Sequence, residues 1–396
     1  MIPSISRAAG AIRPGVFSEL QRHIDAVAAR GGDLIPLQIG DTCLEPPTPP
    51  ASDLALSSYG ATMGLAELRS AIVESITARG FAFSPLDPAL HVHVGVGATH
   101  ALFCAARSIL NEGDHVLLAA PYWPLAHGIL SMCGAVPVEV PLTQVLYEAP
   151  ETNAGDLFRH ALTDGTRAIY LITPNNPDGK VLSRTHLEQI AAFACEKNLW
   201  VIADEVYADY TFDRAHISIA SLPGMKERTV SAYSFSKSHA LAGARVGFIV
   251  APEAVIMAAR RVSTHTVFNV PVAMQRAALS ALRSGDAWVA TARDEYRAAR
   301  DAAMQAMEGS GVKVHRPEGG TYLFLDFSPI LMGAPLSDLL KGAVEAGVLL
   351  APGEAFGKST ASFARLCVTS VPRPRMLEGI ARLRKAIDAF RPSSTR

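Results

Sequence analysis

The chain has 396 residues, of which 49% are hydrophobic and 18% charged, and its formal net charge at pH 7 is −1. This length exceeds one typical domain, and the near-neutral charge gives no electrostatic reason to expect nucleic acid or an anionic membrane as a partner. No stretch approaches the roughly 20 apolar residues that span a bilayer, and the five scattered cysteines are typical of reduced thiols in a cytoplasmic protein.

Short β-branched runs alternate with alanine-rich helical stretches from about residue 60 onward. The preceding segment is irregular and proline-rich, apart from an amphipathic helix predicted at 17–30. Strands are predicted at 92–97, 115–121, 136–142, 167–173, 200–207, 229–236 and 245–251. The alternation predicts an α/β fold, with parallel strands, helical crossovers and helices on both faces of the sheet.

The pattern changes after residue 271. An alanine-rich segment at 271–310 predicts one or two helices, and the strands and helices that follow it predict a smaller α+β domain. The predicted division is therefore an N-terminal arm at 1–50 that joins the small domain, a large domain at 51–285 and a small C-terminal domain at 286–396.

Ligands of open α/β sheets bind where the strands end, so the residues after each strand are of interest. Ala98 and Thr99 follow the first strand and precede a helix, whose free N–H groups suit a phosphate. An ordinary tight turn is the alternative. A dinucleotide-binding fingerprint beginning with Gly95 and Gly97 is a third interpretation, but His100 stands where its third glycine is required.

Polar and aromatic residues follow three further strands. Tyr122 and Trp123 could stack on a flat ring or pack in the core. Asn175 and Asn176 lie in a turn and can donate hydrogen bonds. Asp204 ends an apolar strand, where a carboxylate requires a cation or a donor because an unpaired buried charge is unfavourable.

Lys237 stands among small residues directly after the strand at 229–236. Two interpretations are open. Lys237 is either part of an ordinary strand-to-helix turn or a lysine that is held beside a buried ligand. Arg245 follows eight positions later with a guanidinium suited to phosphate. Together the strand ends offer a phosphate seat, an aromatic face, a carboxylate, hydrogen-bond donors and an amine. Pyridoxal phosphate requires each of these, because its aldehyde binds a lysine and its ring nitrogen pairs with a carboxylate.

From about residue 30 to 390 the chain resembles the class I/II aminotransferases, which are fold-type-I pyridoxal-phosphate enzymes. The matching motifs, in the family's order and spacing, are SFSKSHALAGARVG (234–247), NNPDG (175–179) and DEVY (204–207), supported by YGATMGLAELR (59–69), PGEAFG (352–357) and RLCV (365–368). The resemblance implies a mostly parallel central sheet of the seven-stranded type, a smaller C-terminal domain and a homodimer with shared active sites.

The resemblance also implies roles for individual residues. Lys237 is expected to form the Schiff base and later to carry the proton, while Asp204 pairs with the pyridinium nitrogen. Tyr207 and Asn176 are expected to hydrogen-bond the phenolic oxygen, with Trp123 stacked on the ring. The expected phosphate ligands are Ala98, Thr99, Ser234, Ser236, Arg245 and, from a second subunit, Tyr59. The expected substrate-binding residues are Arg365, Asn176 and the backbone of Gly40.

These roles imply an aminotransferase that moves an amino group between an L-amino acid and a 2-oxo acid. A pyridoxal-phosphate lyase or another α-carbanion enzyme of natural-product metabolism is the alternative, because the same residues labilise the α-proton in all of them. A regulator that uses such a domain to sense ligands would carry a DNA-binding module ahead of it. Only about 30 residues precede the match, without a basic patch.

Three positions bear on specificity or depart from the family pattern. Asp178 stands where the family usually has Thr or Ser, and Ala244 replaces a large aromatic residue, which leaves extra room near the cofactor. Members that act on acidic side chains often present an arginine where Thr264 falls, if Asn269 is taken as the anchor. A neutral or aromatic amino donor is therefore expected.

Two further patterns indicate other ligands only superficially. The segment 353–359, GEAFGKS, imitates a nucleotide-binding loop but has three residues between its glycines instead of four. His91 and His93 alternate on one strand face, yet no third metal ligand is spaced nearby. We expect neither a nucleotide nor a metal.

Overall fold

The computed structural model describes residues 20–47 and 59–390. The strands within these residues are β1 (Ile35–Pro36), β2 (Val92–Val96), β3 (His115–Ala120), β4 (Val136–Pro141), β5 (Thr166–Ile172), β6 (Trp200–Asp204), β7 (Thr229–Ser234), β8 (Val246–Val250), β9 (Lys313–Val314), β10 (Tyr322–Asp326), β11 (Val348–Leu349), β12 (Ala351–Pro352) and β13 (Phe363–Cys367). The α-helices are α1 (Gln21–Ala29), α2 (Ala66–Arg79), α3 (Gly97–Ile109), α4 (Pro124–Met132), α5 (Thr143–Glu148), α6 (Ala154–His160), α7 (Arg184–Glu196), α8 (Phe235–Ser238), α9 (Glu253–Thr266), α10 (Val272–Ser284), α11 (Asp286–Met307), α12 (Ser328–Leu331), α13 (Leu336–Glu345) and α14 (Arg373–Phe390).

The central sheet has seven strands in the order β2-β8-β7-β6-β5-β3-β4. All of them point the same way except β8, which is antiparallel to both of its neighbours. Only residues 235–245 join β7 to β8, and this connection is too short for the crossover that a parallel pair needs. The predicted mostly parallel α/β fold is confirmed, with β8 as the reversed strand.

Helices cover both faces of this sheet, which explains why most of its strands are largely apolar. On one face, Tyr170 and Ile172 of β5 pack in a core that includes residues of α3, α4 and α9. On the other face, Ile169 and Leu171 of the same strand pack in a core that includes residues of α6 and α7. Successive side chains of a strand therefore belong to opposite cores, as the two-residue repeat requires.

A second, antiparallel sheet lies in the C-terminal part of the chain, with the order β12-β13-β10-β9. Its core includes residues of α11, α13 and α14, together with Ile35 and Leu37 from the N-terminal segment. β1 pairs in parallel with β11, so that Ile35 lies opposite Val348. The N-terminal segment is thus packed against the C-terminal part. The three-part domain division stays a prediction, with the expected boundary at 285 falling between α10 and α11.

Most predicted elements differ from the observed ones only at their ends. The strands predicted to reach 207 and 236 end at Asp204 and Ser234, where polar side chains begin. The helix predicted at 17–30 covers Gln21–Ala29, and 17–19 lie outside the described residues. The segment 271–310 forms two helices that meet at Gly285. Among the described residues, none of the helices combines the length and apolar character needed to cross a membrane.

Candidate active site

A cavity of about 220 Å³ lies at the ends of β5, β6 and β7, beside the start of α3. Every site residue expected from the sequence except Tyr59 lines it. These residues are Gly40, Ala98, Thr99, Trp123, Asn176, Asp204, Tyr207, Ser234, Ser236, Lys237, Arg245 and Arg365. Residues spread over more than 300 positions of the sequence thus meet at one edge of the sheet.

One end of the cavity is built to hold an anion. The helix α3 begins at Gly97 directly after β2, and the N–H groups of its first turn have no partner within the helix. A Cβ atom on Gly97 would lie 2.5 Å from Nη2 of Arg245, so a larger residue here would displace this guanidinium from the helix start. Arg245 Nη1 donates to the Ala242 carbonyl at 2.9 Å and to Ser236 Oγ at 3.4 Å. A cation and free backbone donors therefore face the same space.

Lys237 lies in the one-turn helix α8, which starts as soon as β7 ends. Ser234 caps this helix, because its Oγ accepts a hydrogen bond from the Ser236 N–H at 3.2 Å. The cap turns the chain sharply, and the half-buried Lys237 side chain lines the cavity. Its Nζ donates to the carbonyl of Gly40. The amine is thus held inside the cavity and away from bulk solvent.

Asp204 is buried at the end of β6 with only 3% of its surface exposed. Tyr170 Oη donates to its Oδ2 at 3.0 Å, and the Val206 N–H donates to its Oδ1 at 3.3 Å. Burial raises the pKa of this carboxyl to about 6, and the nearby Glu205 adds to the effect. An ionised carboxylate that lacks a cation is unfavourable in such a place, so the site is prepared for a positively charged ligand group.

Tyr322 is a cavity residue that the sequence analysis missed. Its hydroxyl lies 2.7 Å from that of Tyr207, and both rings are buried. Burial raises the pKa of Tyr207 well above its ordinary value, so this hydroxyl stays protonated and can donate. Tyr322 lies in an apolar strand of the second sheet, where a tyrosine normally indicates core packing. Nothing in the sequence distinguishes it from a core residue.

Arg365 and Asn176 lie together in the lining of the cavity. Arg365 Nη1 donates to Asn176 Oδ1 at 2.8 Å, and its Nη2 donates to the Gln38 carbonyl at 2.9 Å. The guanidinium carbon lies 4.3 Å from the centre of the Tyr322 ring. Arg365 Nε is buried without a partner among the described residues. Because the Asn176 oxygen accepts from Arg365, its amide nitrogen remains available as a donor.

None of the three specificity positions lines the cavity. Asp178 is buried and accepts hydrogen bonds from Thr143 Oγ1, from Asn175 Nδ2 at 2.9 Å and from the Lys180 N–H at 3.1 Å. Burial raises its pKa. Ala244 is half-buried, and the Thr264 hydroxyl donates to the Arg260 carbonyl at 2.7 Å. Asp178 therefore closes the turn that carries Asn176.

Tyr59 does not line the cavity. It is 85% exposed, and its ring packs edge-on against Phe268 at 4.9 Å between centroids. Phe268 is itself 41% exposed. Two large apolar rings therefore face solvent in the single chain.

The loop-like segment 353–359 and the histidine pair on β2 and beside it have structural roles. The segment 353–359 forms short 3₁₀ turns, and the Lys358 N–H donates to Glu139 Oε2 at 2.9 Å. His93 is fully buried. Among residues 20–47 and 59–390, no group of three or more His, Cys, Asp or Glu side chains is placed to hold a metal ion.

Comparisons with known proteins identify relatives over most of the chain. A family model described as aminotransferase class I and II matches residues 48–383. An aspartate aminotransferase from Pyrococcus abyssi is 33% identical over 93% of this chain and 95% of that protein. An arginine–pyruvate transaminase from Pseudomonas aeruginosa is 34% identical over 87% of this chain and 88% of that protein. The solved structure of an aromatic aminotransferase from Pyrococcus horikoshii superimposes with a TM-score of 0.84 at 31% identity, covering 92% of this chain and 99% of that one.

Proposed function

Because the chain belongs to the class I and II aminotransferases, we propose that the cavity at the edge of the seven-stranded sheet is its active site. The family depends on pyridoxal 5′-phosphate, so the chain is a pyridoxal-phosphate-dependent transferase that moves an amino group between an amino acid and a 2-oxo acid. The meeting of Lys237, Asp204 and Arg245 in one cavity carries the assignment of the site. The relatives are named as aminotransferases, which favours transamination over the lyase alternative.

The anion-holding end of the cavity fits the phosphate of this cofactor. Arg245 would bind it as a cation, and the hydroxyls of Ser234 and Ser236 would donate hydrogen bonds. The N–H groups of Ala98 and Thr99 at the start of α3 would supply further donors. The glycine at 97 supports this role, since a larger residue would displace Arg245.

The middle of the cavity fits the ring. The Asp204 carboxylate, with its raised pKa, gains a favourable partner when a ring nitrogen beside it holds a proton. Tyr207 Oη and the free amide nitrogen of Asn176 would donate to the phenolic oxygen, and Trp123 would cover one ring face. The same groups keep the ring oriented toward Lys237.

The chemistry requires a base at the substrate α-carbon. When bound, the cofactor supplies an aldehyde that receives the amino group and a ring that withdraws electrons. Lys237 would hold the cofactor at its aldehyde carbon, and once displaced by the substrate amine its Nζ would take the α-proton and return it to the cofactor carbon. A general base of this kind contributes on the order of 10²–10⁴-fold to the rate.

The Arg365 part of the cavity fits the substrate α-carboxylate. The Arg365 guanidinium, fixed by Asn176 and by the Gln38 carbonyl, would bind this group, and its buried Nε without a partner supports the role. The backbone at Gly40 would lie alongside.

The decisive experiment identifies the lysine. The holoenzyme is reduced with borohydride, digested and mapped, and a pyridoxyl mark is expected at Lys237 alone. Lys237→Ala should lose the mark and transaminase activity, whereas Lys341→Ala, an exposed lysine, should keep both. A mark elsewhere, or a colourless protein that takes up no cofactor, contradicts the proposal. Amino acid alone should convert the bound cofactor to its amine form, which a lyase need not do.

We further propose a preference for neutral or aromatic amino donors. The Thr264 hydroxyl is engaged with the Arg260 carbonyl and offers no charge to an acidic side chain. The side chain of Arg260, one helical turn before Thr264, is itself bound to another residue, because its Nε donates to Thr62 Oγ1 at 3.0 Å. Phenylalanine should show at least a tenfold higher kcat/KM than aspartate. The reverse order excludes this preference while leaving the reaction unaffected.

We also propose a homodimer with shared active sites. The exposed Tyr59 and Phe268 support it, because they offer an apolar surface to a second copy from which Tyr59 could reach the partner's phosphate. Sedimentation should give twice the chain mass. Mixing Lys237→Ala subunits with Tyr59→Ala subunits should restore activity, since each heterodimer regains one intact site. A monomer, or no gain on mixing, contradicts this arrangement.

The proposed location is the cytoplasm. The five cysteines are all free thiols, as expected in a reducing compartment. Cell fractionation should recover the protein with cytoplasmic marker enzymes.

A further inference from the structure

We propose that Tyr170 is a positioning residue for this reaction, which holds the Asp204 carboxylate in the orientation that pairs with the cofactor ring nitrogen. The inference rests on the proposed role of Asp204. Tyr170 is outside the cavity, so it acts on the cofactor only through this carboxylate.

The sheet register brings the two residues together. β5 and β6 are parallel neighbours in which Ile172 lies opposite Asp204 and Tyr170 lies opposite Ile202. Tyr170 is therefore two positions before the residue opposite Asp204, on the same face of the sheet. Strand spacing and rise put the two α-carbons about 8 Å apart, a gap that the long tyrosine side chain closes. Tyr170 is 1% exposed, and its hydroxyl donates to Asp204 Oδ2 at 3.0 Å.

The Asp204 carboxylate has few other constraints. Its second hydrogen bond, from the Val206 N–H, is longer at 3.3 Å. Without the Tyr170 hydroxyl the carboxylate could turn about its Cβ–Cγ bond, and its ionised form would lose a buried donor. Burial and the neighbouring carboxylate raise the pKa of Tyr170 well above its ordinary value, so the hydroxyl keeps its proton at working pH. The position of the carboxylate is thus set largely by one side chain.

A second buried pair of a tyrosine and a carboxylate, Tyr233 and Glu205, provides a matched control. Tyr233 of β7 is also buried, and its hydroxyl donates to Glu205 Oε2 at 2.6 Å. Glu205 does not line the cavity and also accepts from Ser218 Oγ at 2.8 Å. Tyr233→Phe and Tyr170→Phe each remove one buried hydroxyl from one buried carboxylate and keep the ring. Tyr233→Phe also removes the contact of that hydroxyl with the Phe81 carbonyl. Only Tyr170→Phe acts on the carboxylate that faces the cofactor.

The test measures cofactor affinity with two probes. Wild-type, Tyr170→Phe and Tyr233→Phe enzymes are stripped and titrated with pyridoxal phosphate and with a deaza analogue in which a C–H group replaces the ring nitrogen. Tyr170→Phe should weaken pyridoxal phosphate about tenfold and leave the analogue within about twofold, since the analogue has no nitrogen for Asp204 to pair with. Tyr233→Phe should leave both dissociation constants within about twofold.

The outcomes separate the two levels of the proposal. An equal loss with both probes, or no loss with either, overturns the role of Tyr170, while a wild-type enzyme that binds no pyridoxal phosphate overturns the proposed function itself. Asp204→Asn provides a second measurement. In that background Tyr170→Phe should cause no further loss of pyridoxal phosphate affinity, and an additive loss shows that the hydroxyl acts independently of Asp204.

Discussion

Asp204→Asn should stabilise the apoenzyme while it weakens the binding of the cofactor. The pKa of Asp204 in the folded apoenzyme is raised to about 6 from 3.8, with burial as the main cause. A carboxyl with a raised pKa favours the folded state below pH 3.8, and this contribution is lost as the pH rises through 6. Above that range the folded chain holds an unpaired buried charge. Asparagine removes the charge and keeps an acceptor for Tyr170.

The size of the effect follows from the shift in pKa. The difference between about 6 and 3.8 corresponds to about 3 kcal/mol at 1.36 kcal/mol per unit once both states are ionised. We therefore expect Asp204→Asn to raise the free energy of unfolding of the apoenzyme by about 3 kcal/mol at pH 8 and by about half of that at pH 5. The holoenzyme should behave in the opposite way, with an affinity for pyridoxal phosphate at least about 100-fold lower.

The assay is urea denaturation of stripped protein, at one fixed protein concentration, for wild type and variant at both pH values. Cofactor titration of the same preparations gives the second quantity. Glu205→Gln serves as the comparison, because Glu205 is also buried but accepts from Ser218 and Tyr233 and does not line the cavity. If the apo form of Asp204→Asn is no more stable than wild type at pH 8, the ionised Asp204 carboxylate does not destabilise the folded apoenzyme and the reasoning is wrong.

Three further substitutions test other parts of the site. Gly40→Ala places a Cβ atom 2.0 Å from the Tyr322 hydroxyl, so KM for the amino donor should rise at least tenfold while cofactor affinity changes little; an unchanged KM would contradict the packing described. Arg365→Lys should raise KM about 100-fold, because an ammonium cannot form the paired hydrogen bonds of a guanidinium, and a cofactor defect instead would reassign Arg365. Asp178→Ala leaves buried donors unpaired and should lower the free energy of unfolding in urea by about 3 kcal/mol, whereas a change below about 0.5 kcal/mol would show that the turn holds without it.

The sequence predicted the chemical groups of the site better than their supporting contacts. Lys237 and Asp204 could be found because each lies where an apolar strand ends, and strand ends meet at one edge of an α/β sheet. Arg245 directly precedes β8, which runs the opposite way, so it lies at the same edge. Tyr322 and Tyr170 could not be found, because each lies inside an apolar strand where tyrosine is an ordinary core residue. Their contacts depend on the pairing of strands and on the meeting of the two sheets, which residue patterns do not record.

The direction of β8 shows a second limit. Its apolar pattern resembles that of the parallel strands of the sheet, because the residue pattern of a buried strand does not depend on the direction of the strand. Only the short connection at 235–245 distinguishes it. The requirement for glycine at position 40 is a third case. It arises from the Tyr322 hydroxyl of a distant strand and not from the local backbone.

The N-terminal segment connects two functional side chains of the active site. Two carbonyls of this segment accept hydrogen bonds from functional side chains, the Gln38 carbonyl from Arg365 and the Gly40 carbonyl from Lys237. Their α-carbons are two residues apart and cannot be separated by more than about 7 Å. This short piece of backbone, together with Asn176, thus helps to fix the distance between the Lys237 amine and the Arg365 guanidinium. Inserting a single residue between Gln38 and Gly40 would lengthen the distance between the amine and the guanidinium. The preferred substrates should then shift toward those with a longer spacing between amino and acid groups.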